Sequence, residues 1–371
     1  MLLLLHRAIR NAGDFLIFDR AVKLFRAFRP TAKLVVAKAW LPLTDQFRLV
    51  ELQAFDAVVV CGGPGYQNGL YPQVYPLADL SRLHSPVVLL ALGSYSFPGT
   101  PSQLRISRFD GPTRAFLDEV QQRAPYLGAR DRLTEELLHV NGISEVLMTG
   151  DPAWYDLEHM DKVGPTGSNI RSLAFTPPAS AVFAGQALRL MRRLAKELPR
   201  SRGTVVFHRG LQRRYAAEAG RLGWSIEDIS GSLDGFQFYD SVDLHVGYRV
   251  HAHLYCLSHA LRSYLIAEDS RGIGALQTLG PLGVDPLTRH DRSWRPLQRV
   301  RLVAGNLARL PGPVSDRLLE VLAPAVTAEI GDELMAQLAL DQSGSWQRLR
   351  QARETMRLTL PVMRTMIESI P

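Results

Sequence analysis

Cysteine is almost absent from this chain: among 371 residues there are two, Cys61 and Cys256. Two thiols so far apart exclude a disulfide framework and make no cysteine metal motif, so a reduced compartment is expected. Long apolar runs are missing as well. The opening MLLLL meets His6 and Arg7 at once, too short for the core of a signal peptide and far too short to span a bilayer. No internal repeat, low-complexity tract or coiled-coil heptad occurs. No basic block with interleaved aromatics gives a nucleic-acid signature, so nucleic acid is not an expected partner. The compact catalytic motifs are lacking too. There is no HExxH, Walker A or GxSxG, and Gly62-Gly63-Pro64-Gly65 does not satisfy GxGxxG. The expectation is a soluble, cytoplasmic protein.

What is present points to two α/β units. A chain of 371 residues exceeds a usual single domain. Lys plus Arg outnumber Asp plus Glu by 43 to 36, a net +7 that fits anionic substrates or an anionic membrane surface. Strands are predicted over Leu2–Leu5, Leu34–Ala37, Ala57–Cys61, Pro86–Leu92, Pro125–Ala129 and Glu145–Thr149, with helices over Phe15–Phe28 and Thr134–Val140. Each strand is a continuous apolar run, as parallel strands buried on both faces require. Each ends in a glycine or polar loop, where open α/β sheets bind their ligands. Asp161–Ile170 reads as a linker. A second series follows: strands at Leu173–Phe175, Gly203–His208, Val242–Val246 and Ser263–Ala267, helices at Ala184–Glu197, Leu211–Leu222 and His251–Leu261, and an unassigned segment at Trp224–Ile229. Beyond Arg295 the pattern is helical, over Val314–Leu322, Val326–Leu340 and Ser345–Ile370. The expected architecture is α/β, with two Rossmann-like domains (1–160 and 168–340) facing a cleft and a C-terminal helix (345–371) packing across them.

The stretch Ser241–Gly272 is richest in chemistry. A strand, the turn at Gly247 and a helix start would gather Tyr248, Arg249, His251 and His253 where backbone N–H groups lack intrahelical partners. Such a corner suits an anion through those N–H groups and the helix dipole. Arg249 would add a fork of donors and His251 a proton carrier near neutral pH. The same residues equally suit plain helix capping, and His245, His253 and His259 read as structural. Other candidates also sit at predicted strand ends. Asn11, Gly13 and Asp14 could place polar groups at the cleft or form an Asx-turn. Gly62 and Gly63 could let backbone approach a ligand or simply turn the chain. Arg130, beside Asp131 and Arg132, reads alone as a surface salt-bridge cluster, and Gly150-Asp151-Pro152 as a turn with Asp151 capping a helix. Glu268 and Arg271 follow a second-domain strand as donor-side candidates or as a solvated loop.

Their order along the chain is more telling than any one of them. N-x-G-D near the start, a GG loop after an apolar strand, A-L-G-S, A-R-D before a helix, T-G-D-P-A and V-G-Y-R-V-H-A-H together resemble the polysaccharide pyruvyl transferase family from about Leu2 to Leu282. The chain has Arg249-Val250-His251 where the family commonly shows R-L-H. Its glycine run after the strand is shorter, and its G-x-G is reduced to Gly93-Ser94-Tyr95. The resemblance implies a GT-B-like transferase that moves the enolpyruvyl unit of phosphoenolpyruvate, its co-substrate, onto a sugar and closes a cyclic pyruvate ketal, with no metal or other cofactor. It implies that Arg249 and His251 hold phosphoenolpyruvate and that Arg130 grips the same anion. His251 is then the candidate acid/base and Asp14 a base for the sugar. The acceptor would be a nucleotide-linked, lipid-linked or polymeric cell-surface glycan. Trp40, Leu41 and the C-terminal helix allow peripheral contact with the inner face of a membrane. Two other functions stand beside this one: a GT-B glycosyltransferase using a nucleotide sugar, and a non-catalytic glycan- or nucleotide-binding protein.

Overall fold

A computed structural model describes residues 1–77, 83–165, 167, 169–289 and 324–371. The apolar runs form strands. In the first half these are β1 (Leu2–His6), β2 (Leu34–Lys38), β3 (Ala57–Cys61), β4 (Pro64–Tyr66), β5 (Val87–Leu90), β6 (Gly93–Ser94), β7 (Leu127–Ala129) and β8 (Val146–Met148). The main sheet runs β2-β1-β3-β5, and every pair is parallel. A parallel bridge from Leu92 to Ala129 joins β7 and its partner β8 to the β5 edge. The chain thus winds one way from β1 to β2 and then the other way through β3, so the winding reverses between β1 and β3.

The second half contains β9 (Ser172–Thr176), β10 (Arg202–Phe207), β11 (Ser225–Asp228), β12 (Leu244–Gly247), β13 (Arg262–Ile266) and β14 (Gly283–Val284). Its sheet runs β11-β10-β9-β12-β13-β14, all parallel. This is the doubly wound dinucleotide-fold order, with its reversal between β9 and β12. Leu2 to Leu5, all of β3 and all of β12 and β13 are buried. Each fully buried leucine contributes roughly 2 kcal/mol, which is why these strands need apolar residues on both faces.

The C-terminal helix Gln347–Glu368 packs on both halves. It lies against the helix Ala12–Phe28 and β8 on one side and the helices Val250–Ser258 and Ser270–Leu279 on the other. Arg353 fastens it, donating to the carbonyls of Leu257 and Ser258 and to those of His159, Met160 and Lys162. Two Rossmann-like halves facing a cleft, bridged by this helix, are the observed architecture.

Element boundaries differ from expectation where local backbone chemistry intervenes. The first helix starts at Ala12, not Phe15, because Asn11 takes an extended N-cap conformation. The strand expected over Pro86–Leu92 stops at Leu90, since Ala91 adopts a left-handed φ of 55°. Pro101–Ile106 and Gly111–Arg123 are helices that periodicity did not reveal. Thr100 and Asp110 cap them, each followed by a proline in the first turn. The single helix expected over Val326–Leu340 is two, Pro324–Thr327 and Gly331–Ser343. The expected helix Val314–Leu322 lies outside the described residues. Cys61 and Cys256 are both free and buried. Among the described residues, no helix is long and apolar enough to cross a membrane.

Of the histidines read as structural, His245 and His253 are held by buried partners, and His208, just after β10, is held likewise. His245 bridges Thr176 Oγ1 (2.9 Å) and Ser263 Oγ (2.7 Å), and His253 Nδ1 shares the same serine at 2.7 Å. His208 bonds the Tyr239 hydroxyl at 2.7 Å. Burial pushes all three down, His253 to about 3. The unfolded chain would protonate them near pH 6.5. The stability they supply is therefore full above that pH and is lost as pH falls toward the folded values, by up to about 1.4 kcal/mol per pH unit for each. Asp14 and Glu268, whose carboxyls are raised, act in the opposite sense. With three histidines against two carboxyls, the urea midpoint should be lower at pH 5 than at pH 7; equal or reversed midpoints would refute this account.

Candidate active site

The two winding reversals face each other across the cleft. At the β9/β12 reversal, a Cβ on Gly247 would lie 2.2 Å from Thr176 Oγ1, so only glycine lets the strands approach there. Tyr248 N then donates to Thr176 O (2.9 Å) and Arg249 N to Thr176 Oγ1 (3.3 Å). This bends the chain into the helix Val250–Ser258, with Arg249 as N-cap and His251 in the first turn. The first N–H groups of that turn have no intrahelical acceptor. Opposite, Asn11 caps the helix Ala12–Phe28, and Ala12 N donates across the cleft to His208 O at 2.9 Å. Gly13 presses on the imidazole: a Cβ there would stand 2.5 Å from His251 Nδ1. Asp14 follows in the same turn. Burial raises its carboxyl pKa; the nearby His251, a hydrogen bond with Asn11, Arg271 and Arg7 pull the other way without cancelling the rise.

Behind His251 sits a buried charged chain. Asp151 caps Pro152–Trp154 through Oδ1, which accepts Ala153 N at 2.9 Å. Its Oδ2 faces His251 Nε2 at 3.5 Å and Arg130 Nη1 at 3.6 Å. Burial works against its charge, but His251, Arg130 and the Ala153 N–H outweigh that and hold the carboxyl below the usual range. Arg130 is only 3% exposed, which corrects the surface-cluster reading. Gly93 makes room for it, since a Cβ there would lie 2.2 Å from Nη2. Arg130 Nη1 and Nη2, Asp151 Oδ2, His251 Nε2 and Arg249 Nε have no hydrogen-bond partner among the described residues. Buried groups without partners are few in native proteins and costly. Four of these five atoms belong to one contiguous chain, whose free Arg130 N–H groups are donors suited to an anion.

The donor-side candidates surround Arg249. Glu268 is the chief opposing charge to its guanidinium. That carboxylate accepts the N–H groups of Ala179 (2.9 Å) and Ser180 (3.1 Å), while burial pushes it up. Arg271 forks onto Asp269, with Nε 3.0 Å from Oδ1, and lies over the Tyr95 ring at 5.2 Å. Asn11, His208, Arg249, His251, Glu268 and Arg271 help line a cavity of about 30 Å³. That is room for a water or two.

Tyr248 also lines this cavity, with its hydroxyl donating to Gln186 Oε1 at 3.1 Å. Gly62, with φ of 66°, packs on Ile17, where a Cβ would lie 2.6 Å from Cγ2. Gly63 lies next to the Tyr75 hydroxyl, which would be 3.6 Å from a Cβ at that position. Both serve the turn after β3. Sequence reasoning missed the pairing of Asp151 with His251, and it missed Asp269 and His208. Their signals were present: T-G-D-P and GTVVFH both end strands, and Asp269 adjoins Glu268.

A third polar cluster, Asp156, His159 and His259, brings three donor atoms within 4.8 Å of one another. The guanidinium of Arg20 already occupies the place a cation would take, ion-paired to Asp156 and 3.2 Å from His259 Nε2. Although burial opposes its charge, hydrogen bonds from His259 and Arg20 hold the Asp156 carboxyl far below the usual range. The cluster ties the first helix to the second half and reads as structural.

Two Rossmann-like halves with a basic, histidine-bearing cleft between their winding reversals define a GT-B-like α/β protein. The chain belongs to the polysaccharide pyruvyl transferase family, whose sequence profile matches residues 11–270. That span includes both faces of the cleft from Asn11 to Ser270. No curated protein matches the chain. Among solved structures, it is similar to MnaA of S. aureus with UDP (12% identity, 92% of this chain and 97% of that one, TM-score 0.48). The UDP-GlcNAc 2-epimerase of Neisseria meningitidis bound to UDP-GlcNAc gives 12% identity, 92% and 100% coverage and a TM-score of 0.47. The wall teichoic acid polymerase TagF gives 11%, 93% and 88%, and 0.42.

Proposed function

We propose that this protein transfers the enolpyruvyl group of phosphoenolpyruvate to a sugar of a cell-surface glycan or its precursor and closes a cyclic pyruvate ketal. The observation that carries the reading is the buried, incompletely partnered chain Arg130–Asp151–His251, next to Arg249 at a helix N-terminus. Phosphoenolpyruvate carries a phosphate and a carboxylate. Two guanidinium groups and a helix N-terminus form a cradle for two such anions, and the family membership points the same way.

In this reading the second half holds the donor and the first half the acceptor. His251 delivers a proton to C3, and a sugar hydroxyl, its proton taken by Asp14, forms a bond to C2. The C2–O bond to phosphate then breaks, phosphate leaves, and the second hydroxyl closes the ketal. Asp151 offsets positive charge on His251 and fixes its ring, as a carboxylate does behind a catalytic histidine. The reaction as written needs no metal. Glu268 and Asp269 position Arg249 and Arg271. The acceptor is a nucleotide-linked, lipid-linked or polymeric sugar, with the protein at the cytoplasmic face of the membrane.

Calorimetric titration of phosphoenolpyruvate into the wild-type protein, with Arg249→Ala as control, tests the donor. Saturable binding that the variant loses is expected. Absence of that binding alongside clear binding of a UDP-sugar would replace this reading with a glycosyltransferase. Asp14→Asn tests the base. A carboxyl raised by burial holds its proton more tightly in the folded state, so its contribution to stability is present at low pH and is lost as pH rises through its folded value. At pH 7 Asp14→Asn should therefore melt higher than wild type, with the gap closing near pH 4, while kcat falls about 10²- to 10⁴-fold. Unchanged kcat would remove Asp14 from the chemistry.

A further inference from the structure

A second cavity, about 380 Å³, opens on the first half beside the cleft. Its walls include Tyr66, Tyr95, Phe97 and Phe109, with Gln67 and Arg108 among its polar lining. It shares a wall with the anion site. Tyr95 faces this cavity and also lies under the Arg271 guanidinium, 5.2 Å from ring centre to Cζ. Ser270, the neighbour of Arg271, locks that wall. Ser96 N donates to Ser270 Oγ (3.0 Å), Ser270 Oγ to Ser94 O (3.1 Å), and Ser270 N to Ser96 O (3.1 Å).

We infer that this cavity holds the hexopyranose ring of the acceptor, an assignment that rests on the pyruvyl-transfer reading. Aromatic walls offer flat apolar faces for the C–H face of a sugar ring, and an amide offers both a donor and an acceptor to its hydroxyls. Among the described residues the Gln67 amide makes no hydrogen bond of its own. Arg108 is steadied by donating Nη1 to the carbonyls of Arg105 and Ser107, at 3.0 and 2.9 Å. Among the described residues no carboxylate lines the cavity, so a phosphate on the ring's carrier meets no repulsion near Arg108. The volume falls in the range of small-molecule sites, roughly 300–1,000 Å³. A ring seated here lies one aromatic side chain from Arg271, which lines the anion site.

Saturation-transfer NMR on the full chain tests this, with methyl glycosides of glucose, galactose, mannose and N-acetylglucosamine as probes, each with and without phosphoenolpyruvate. Wild type should saturate the ring protons of at least one probe. Gln67→Ala and Phe109→Ala, each checked by thermal melting, should weaken that signal about fivefold or more. Both should leave the calorimetric phosphoenolpyruvate isotherm unchanged, and in turnover the acceptor KM should rise about tenfold at constant kcat. Undiminished saturation in both folded variants, or none with any probe, overturns the assignment. Phosphoenolpyruvate binding without glycoside saturation sinks this cavity alone. Variant-sensitive saturation without phosphoenolpyruvate binding supports the cavity as a sugar site and sinks the pyruvyl-transfer reading.

Discussion

His251→Ala should lower kcat by about 10³-fold or more while leaving the affinity for phosphoenolpyruvate within a few-fold of wild type. The imidazole, carried by the second half, is only 8% exposed and sits between Gly13 and Asp151, both of the first half. Its removal takes away the group that the proposed reaction uses to protonate C3 of the donor. General acid–base groups contribute typically 10²- to 10⁴-fold, and this one also aligns the two halves. The anion affinity should survive because Arg130, Arg249 and the helix N-terminus remain. Stopped turnover with preserved calorimetric binding is the expected pattern. Near-normal turnover would show that the ring only packs against Gly13. Loss of binding together with a lower melting temperature would make it a structural link between the halves.

Arg130→Met should raise both the Kd and the KM for phosphoenolpyruvate by about 30-fold or more, equivalent to about 2 kcal/mol for a hydrogen-bonded charge pair. The alternative is that Arg130 is simply the structural partner of Asp151. The two roles predict opposite stabilities. A buried guanidinium with two unpartnered nitrogens is a burden on the unliganded fold. Asp151 keeps His251 and the Ala153 N–H when the guanidinium is gone. The variant should therefore melt no lower than wild type, as happens when a site traded stability for function is dismantled. A structural ion pair broken on one side would instead cost about 3–5 kcal/mol. A large fall in melting temperature with unchanged affinity would assign Arg130 to the scaffold.

Much of this was legible because parallel α/β sheets write themselves plainly. Ala57–Cys61 is wholly apolar because both of its faces are covered, and the structure places it as β3 with no change of boundary. The two reversals were not legible. Nothing in the run GTVVFH or SVDLHVG says which strand lies beside which, since every one of these strands is apolar enough to occupy any central position. The helices after Thr100 and Asp110 were missed for a different reason. Their signal lies in caps and prolines, and their apolar faces are narrow.

The sequence by itself determined the class of fold, the strands, and the positions where chemistry could gather, because burial on two faces and glycine turns at strand ends leave local marks. It also carried the motif order that resembles the family. Only the tertiary structure decided which candidates meet. Gly13 lies against His251 although 238 residues separate them in the chain. Asp151, read locally as a cap, is a cap that also faces His251. Arg130, whose neighbours are charged, is buried because β7 joins the sheet through Leu92 and carries it inward. Local pattern records what a residue needs from its own strand or helix. Which distant charge stands opposite is set by the order in which the strands pair, and that order is a property of the folded chain as a whole.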